Sequence, residues 1–461
     1  MVRLGRVLLP TTVSLLLLMP RAVRAQTPEF SLPPTSLLPN YGRVGIGQRE
    51  AIEAGAYVAR TDDALANYYN PAGLAMSRKT ALNASSSAYE LTTTTLSGIG
   101  EESSATRLSP AGGFFGIVVG EPIARHPRWR FGLAVTKPVA WSPSTLEGAF
   151  NVPAMGGTEA FGYSTAASLG TIIPSLNGAY RLSPKLRVGL GVGYGITDLD
   201  QDQTVSDRLV LPNGVITALR SYVTDGSVQH LLLTVGGQWD VAPAFTLGAL
   251  VTAPGLRIGG KSMVTLSETV FDAAGGESDL AFRDPEARFD YKLPLRAAVG
   301  ATFRYARGQV ELDLRYHGAE DAYELLSSDS VATQITTDAS GVPVISHPTF
   351  TPVLNQARSI VGFALGANFS LSRSVRVHGG AFIDPSPVSA PSRSIFRAVD
   401  LTGVSGGVSL GSGSLTASLG VSSSWGTTTQ QEVGPSLGGQ SGTTDVSIHT
   451  FTGLYSISFT F

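Results

Sequence analysis

Cysteine is absent from all 461 residues. Without thiols there is no disulfide framework, no thiolate nucleophile and no cysteine-held metal. Charge is scarce too: Asp, Glu, Lys and Arg make up 15% of the chain, against about a quarter in an ordinary soluble protein. The formal net charge of −2 offers no electrostatic footprint for nucleic acid. Beyond residue 25 no apolar run is long enough for a membrane helix. The six histidines (126, 230, 317, 347, 378 and 449) lack metal-ligand spacing, and no glycine-rich phosphate loop occurs. Gly403-Val404-Ser405-Gly406-Gly407 has the form of a nucleophile elbow, but such an elbow needs a strand-to-helix turn and this stretch runs on as a strand. No enzyme activity, metal or cofactor is expected.

What remains is glycine, 53 residues of it, and alternation. Arg3 and Arg6 precede an apolar run from Val7 to Met19, and Ala22-Val23-Arg24-Ala25 supplies small residues at cleavage spacing. Residues 1–25 therefore read as a secretory signal peptide. From residue 79 onward apolar positions recur with period two, the mark of strands with two unlike faces. Val188, Leu190, Val192 and Tyr194, for example, interleave with Gly189, Gly191, Gly193 and Gly195.

Segments of roughly ten residues, the length a tilted transmembrane strand needs, number fourteen. They lie near 80–95, 110–120, 129–142, 166–182, 187–199, 227–240, 243–256, 290–305, 309–320, 355–371, 375–386, 400–410, 415–427 and 446–461. Short turns alternate with long loops such as 200–226, 257–289 and 321–354, as in a bacterial outer-membrane barrel. Trp129 and Trp239 fall at short-turn ends, Trp141 and Trp425 at long-loop ends, which places two aromatic girdles. The predicted fold is all-β: a fourteen-stranded antiparallel transmembrane β-barrel over 79–461, integral to the outer membrane. Outer-membrane lipid is its surroundings, and a monomer is expected.

Residues 26–78 do not alternate. A helix is expected over Gln48–Arg60, with Asp62-Asp63 capping a second. Such a segment folds only against something else, and inward glycines (Gly189, Gly191, Gly193, Gly195, Gly362, Gly366) leave room for it in the lumen; strand bending is the other reading of those glycines. Inward parity also collects Arg130, Arg187, Arg296, Arg304, Arg315 and Arg376. They suit either a carboxylate head group or acids of the plug, Glu50, Glu53, Asp62 and Asp63. A two-residue turn at Arg307-Gly308 would set Arg304 opposite Glu311.

The stretch "GAYVARTDDALANYYNPAGLA" (55–75) resembles the signature of the FadL/TodX family of outer-membrane transporters for hydrophobic compounds. "FTLGALVTAPGLRIGG" (245–260), "LPLRAAVGATFRY" (293–305) and "HGGAFIDPSPV" (378–388) match more loosely, in family order. The resemblance implies an N-terminal hatch over 26–78 whose motif is Asn70-Pro71-Ala72. It implies passive uptake of fatty acids, hydrocarbons or similar lipids, with lateral exit through a kinked third strand. Here that kink falls at Lys137-Pro138, where alternation would point a lysine at lipid and proline cannot donate to the ladder; the kink is expected to turn Lys137 away from lipid. The chain's terminal Phe461 resembles the signal read by the barrel assembly machinery. A PorV-like accessory barrel for protein secretion carries a similar motif and is the alternative reading.

Overall fold

The computed structural model describes residues 28–31, 40–42, 45–47, 49–98, 102–109, 113–120, 128–141, 146–154, 157–272, 275–337, 340–389, 399–431 and 443–461. The expected signal peptide (1–25) lies outside them.

Fourteen antiparallel strands close into a barrel. The first seven are β1 (Ala81–Ser97), β2 (Gly113–Val119), β3 (Trp129–Trp141), β4 (Gly157–Arg181), β5 (Leu186–Leu211), β6 (Gly214–Ala242) and β7 (Phe245–Thr252). The second seven are β8 (Arg296–Tyr305), β9 (Gly308–His317), β10 (Ile360–Ser370), β11 (Val375–Asp384), β12 (Leu401–Ser412), β13 (Leu415–Gln431) and β14 (Thr443–Thr460). Each pairs with its neighbour, and β14 pairs with β1 from Thr460–Ala81 to Asp445–Ser97, so no edge is left open. The Gly403–Gly407 stretch lies within β12, and Ser405 Oγ donates to the Ile52 carbonyl at 2.7 Å.

The outward face is apolar. Phe131, Leu133 and Val135 on β3, and Leu190 and Val192 on β5, are each between 44% and 56% exposed. A continuous band of this kind is unstable in water and matches the hydrocarbon layer of a bilayer. Trp129, Trp239 and Trp425 are likewise exposed, the first two at the short-turn end and the third at the other.

The predicted loops need correction. Residues 200–226 are not a loop, because β5 and β6 stay paired to Leu211–Gly214 across a two-residue turn. Residues 257–289 form a second hairpin, Leu256–Phe271 with Glu277–Phe289, whose first arm pairs with β6. The reason is a swap of faces. Beyond the band the outward positions become polar (Asp198, Asp200, Asp202, Thr204), and apolar side chains (Leu199, Val205, Leu209) turn inward. These extensions close over a core that includes Tyr163, Tyr222, Phe282 and Phe289.

The turn after β8 is also shifted from expectation. Tyr305 pairs with Gly308, so Ala306-Arg307 form the turn, Arg304 faces Gln309, and Glu311 faces Thr302.

The N-terminal segment runs through the lumen. Glu29–Phe30 pairs in parallel with Thr349–Phe350 at the long-loop end, where Phe30 packs on Phe282. Asn40 donates to the carbonyls of Asp384 and Val399, near the same ends of β11 and β12. Residues 49–77 fill the lower lumen. The expected helix over Gln48–Arg60 is only one turn, α1 (Arg49–Ile52), because Ala54 and Gly55 take positive φ of 57° and 72° and end it. A second turn, α2 (Ala66–Tyr69), follows Asp63, whose carboxylate accepts from Leu65 N–H at 2.9 Å. A 3-10 helix over Pro71–Met76 leads down to β1.

Candidate functional site in the barrel lumen

Asn70 sits where the 3-10 helix begins, with no exposed surface. Its amide donates to the carbonyls of Val58 (2.9 Å), Gly237 (3.0 Å) and Ala249 (3.2 Å). Its oxygen accepts from Ala72 N–H at 3.1 Å. Pro71 follows at the first helical position, where its missing N–H is not needed. One side chain thus ties two parts of the N-terminal segment to β6 and β7.

Glycine gives that segment its seat. A Cβ on Gly189 would collide with the backbone of Pro71 and Ala72, and one on Gly236 with the Asn70 side chain. Gly366 and Gly380 lie against Glu53 and Ala54 in the same way, and Gly248 against Val58 and Ala59. Of the glycines singled out in the sequence, Gly189 and Gly366 serve this purpose. Gly191, Gly193, Gly195 and Gly362 instead have barrel side chains or backbone nearby.

Two of the lumen arginines meet the N-terminal segment through its backbone. Arg130 donates to the Ser77 carbonyl (2.7 Å) and Arg315 to that of Ala54 (3.2 Å). Barrel acids do the converse: Glu311 accepts from Ala59 N–H (2.7 Å), and Asp313 from Tyr57 N–H (2.8 Å) and Val58 N–H (3.3 Å). The segment's own acids find the segment's own cations. Arg49 holds Glu50, Asp62 and Asp63 at 2.9, 2.8 and 3.2 Å. Glu53 pairs with Arg60, which also reaches Glu311 at 2.9 Å. The physical reason is that irregular backbone in a closed lumen must find partners, and the barrel's charged groups supply them.

Glu53 has no exposed side-chain surface. Its carboxylate meets His378 Nδ1 at 2.5 Å and accepts from the Asn368 amide at 3.0 Å. Burial acts to raise its pKa, but Arg60 and His378 prevail and hold it below the ordinary value of 4.5. His378 Nε2 lies 2.8 Å from Ser409 Oγ. Among the described residues no cluster of acids and histidines could hold a metal ion.

The remaining predicted arginines scatter. Arg187 forks onto Asp240 at 2.7 and 3.0 Å, and Arg304 stands 4.0 Å from the same carboxylate. Arg296 lies 4.8 Å over the Tyr68 ring. Arg376 donates to Ser370 Oγ at the short-turn end.

Above the segment lies a cavity of about 190 Å³. Tyr41, Tyr68, Tyr291, Leu293, Ile173 and Phe382 give it an apolar, aromatic wall, and its polar groups include Arg296, Arg315, His317, Glu90 and Asn177. Tyr41 lies 4.6 Å from the His317 ring. The cavity meets the barrel wall at Pro138 and Val139, and at Val192, an outward residue 44% exposed.

That contact coincides with a break in two ladders. Between β3 and β4 the register jumps from Thr136–Ile173 to Val139–Thr171, so Lys137 and Pro138 oppose one residue. Between β4 and β5 the pairs at Ile173 and Pro174 are missing. The bulge does not turn Lys137 inward: its Cε lies 3.5 Å from where a Cβ on outward-facing Gly170 would stand, so the stem crosses the outer surface over a glycine. A lysine on the long-loop side of the band can extend its ammonium to the interface.

Strand parity turns His378, Glu311, Asp313 and Asp384 inward, as found, but gives no sign of the roles of Asn177, Gln238, Asn368 and the seat glycines of β6, β7 and β11. Inward amides amid glycine were the available signal. Asn177 donates to Asn67 Oδ1 (3.0 Å) and Gln238 to Thr61 Oγ1 (2.7 Å).

No family model and no curated protein matches the chain. Solved structures do. The toluene transporter TodX of P. putida aligns over 92% of this chain and 99% of its own, at 12% identity and a TM-score of 0.59. A FadL homologue of Pseudomonas aeruginosa aligns over 94% and 99%, at 14% identity and 0.56. The toluene transporter TbuX of Ralstonia pickettii aligns over 90% and 98%, at 15% identity and 0.53. With strand count, closure and length all in agreement, the chain has the fold of the FadL- and TodX-type outer-membrane channels.

Proposed function

We propose that this protein carries small hydrophobic molecules passively across the bacterial outer membrane. The observation that carries the reading is the aromatic cavity that meets the wall where two adjacent ladders break. The sequence has no glycine-rich phosphate loop to couple nucleotide hydrolysis, so flux follows the concentration gradient. An apolar ligand leaving sideways at Lys137-Pro138 enters lipid without crossing water, which the hydrophobic effect favours. Residues 26–78 act as a hatch that denies the lumen to water-soluble solutes, with Asn70-Pro71-Ala72 fixing its closed shape. Terminal Phe461 serves barrel assembly.

Size points to the ligand class. An apolar cavity of about 150 Å³ suffices for benzene, so 190 Å³ takes a substituted monoaromatic and not an entire long acyl chain. Two similar structures are described as toluene transporters, which agrees. Arg296 and Arg315 give a carboxylate-bearing ligand a place to anchor.

The test is uptake of labelled toluene by cells expressing the chain in a strain without such channels. Uptake should exceed that of the empty strain, and a Lys137→Val, Pro138→Ala variant, which restores a regular strand, should slow it several-fold. Equal uptake with and without the protein overturns the transport reading. Wild-type rates in the variant overturn the lateral route alone.

A further inference from the structure

A second cavity, of about 470 Å³, lies at the short-turn end between the N-terminal segment and the turns of β10–β11 and β12–β13. Nothing in the transport reading uses it, and its chemistry is the reverse of the first. Five cations line it: Arg49, Arg78, Lys79, Arg373 and Arg376. The two lining carboxylates, Asp62 and Asp63, both belong to Arg49. The other four cations have no carboxylate within ion-pair distance among the described residues.

The same end of the barrel elsewhere shows what a purely structural arrangement looks like. Arg187 and Arg304 face Asp240, and Arg130 and Arg181 donate to segment carbonyls at 2.7 and 2.6 Å. Inward cations there are paired with a carboxylate or bound to the segment's backbone. Arg376 is neither: it spends Nε on Ser370 Oγ (3.2 Å) and leaves the terminal fork of its guanidinium to the cavity. It stands directly across the ladder from Ser409. Ser409 Oγ also lies 2.8 Å from Nε2 of His378, which lines the cavity too. It belongs to a hydroxyl run, 2.6 Å from Ser418 Oγ, with Ser458 and Thr460 also on the lining. A guanidinium fork flanked by hydroxyl donors and further cations suits oxygens carrying negative charge.

We propose that this vestibule is an oxyanion site, taking a carboxylate or phosphate group centred on Arg376 and Ser409. Its volume leaves room for whatever the anion is attached to. The site is reached from the short-turn side and is separate from the aromatic cavity, so it stands whether or not toluene is carried. Free phosphate and the head group of an amphiphile share this chemistry.

The experiment is calorimetric titration of the full chain in neutral detergent with octyl phosphate, inorganic phosphate and octanol. Octyl phosphate should bind, and Arg373→Gln with Arg376→Gln should weaken it at least tenfold, the effect expected of losing a bidentate charged contact. Ser409→Ala, which keeps every charge, should weaken it several-fold. About 0.5 M NaCl should weaken the wild type as well, by screening. Octanol, which has no charge, should bind wild type and variants alike, which separates this site from the lumen cavity. Inorganic phosphate competing with octyl phosphate identifies a free-anion site, and absence of competition identifies an amphiphile site. The proposal falls if neither anion binds, or if the double variant, shown folded by its heat-modifiable gel mobility, binds octyl phosphate as the wild type does.

Discussion

The two faces of one strand obey different masters. On β5, Val188, Leu190, Val192 and Tyr194 face outward, while Arg187, Gly189, Gly191 and Gly193 face in. The outer row needs only to be apolar, because lipid is a uniform partner. The inner row has particular partners instead. Gly189 is small because Pro71 and Ala72, more than a hundred residues earlier in the chain, press on it. Gly191 and Gly193 face neighbouring barrel side chains, and Arg187 forks onto Asp240. Apolar exchanges within the outer row should therefore be tolerated, while exchanges at inner positions that touch the segment should be felt chiefly by the segment.

The sharpest way to break that contrast is Glu53→Gln. Removing one member of a buried ion pair costs about 3–5 kcal/mol, and here the loss should fall on docking of residues 49–77. Hydrogen exchange in that segment should rise while the strand amides stay protected. The same site has a pH signature. Glu53 is held below 4.5, so its contribution is present above that pH and fades as pH falls through the lower folded value. Acid should loosen the wild-type segment, whereas Glu53→Gln should show no such acid step. An unchanged acid step would assign it to another group.

Next in size is Leu190→Arg on the outer row. An arginine on the lipid face near mid-membrane costs about 2–4 kcal/mol. Urea titration of barrel folding should register that loss, with hydrogen exchange of residues 49–77 in the folded fraction unaltered. Loosening of the segment as well would mean that the two faces are coupled.

The smallest effect belongs to Arg304→Gln. Its distance of 4.0 Å from Asp240, and its partial exposure, limit the pair to less than about 1 kcal/mol. A double-mutant cycle with Asp240→Asn should give a coupling in that range, and one with Glu311→Gln should give none, because Glu311 faces Thr302.

What was legible in the sequence follows the same division. Lipid imposes period two on outward residues, so strand number, closure and the aromatic ends could be read directly. Where strands leave the bilayer, apolar side chains change face, and Leu199, Val205 and Leu209 kept the period while losing the expected phase. Inside, parity could place Glu311, Asp313 and Asp384 in the lumen. It could not choose their partners, since Glu53 and His378 are 325 residues apart. Charge alone suggested arginine against acid. The lumen instead matched charged side chains to unpaired backbone, a demand that sequence does not display.

The chain's passage from Glu29–Phe30 at one end of the lumen to Ser77 at the other bears on the order in which the molecule is made. The seam of β14 with β1 joins residues 443–460 to 81–97 around that segment. Once that seam is complete, residues 28–31 could reach their place only by being drawn lengthwise through a crowded bore. Enclosure before closure is the simpler route. It makes the N-terminal segment a mandrel on which the cylinder is wound.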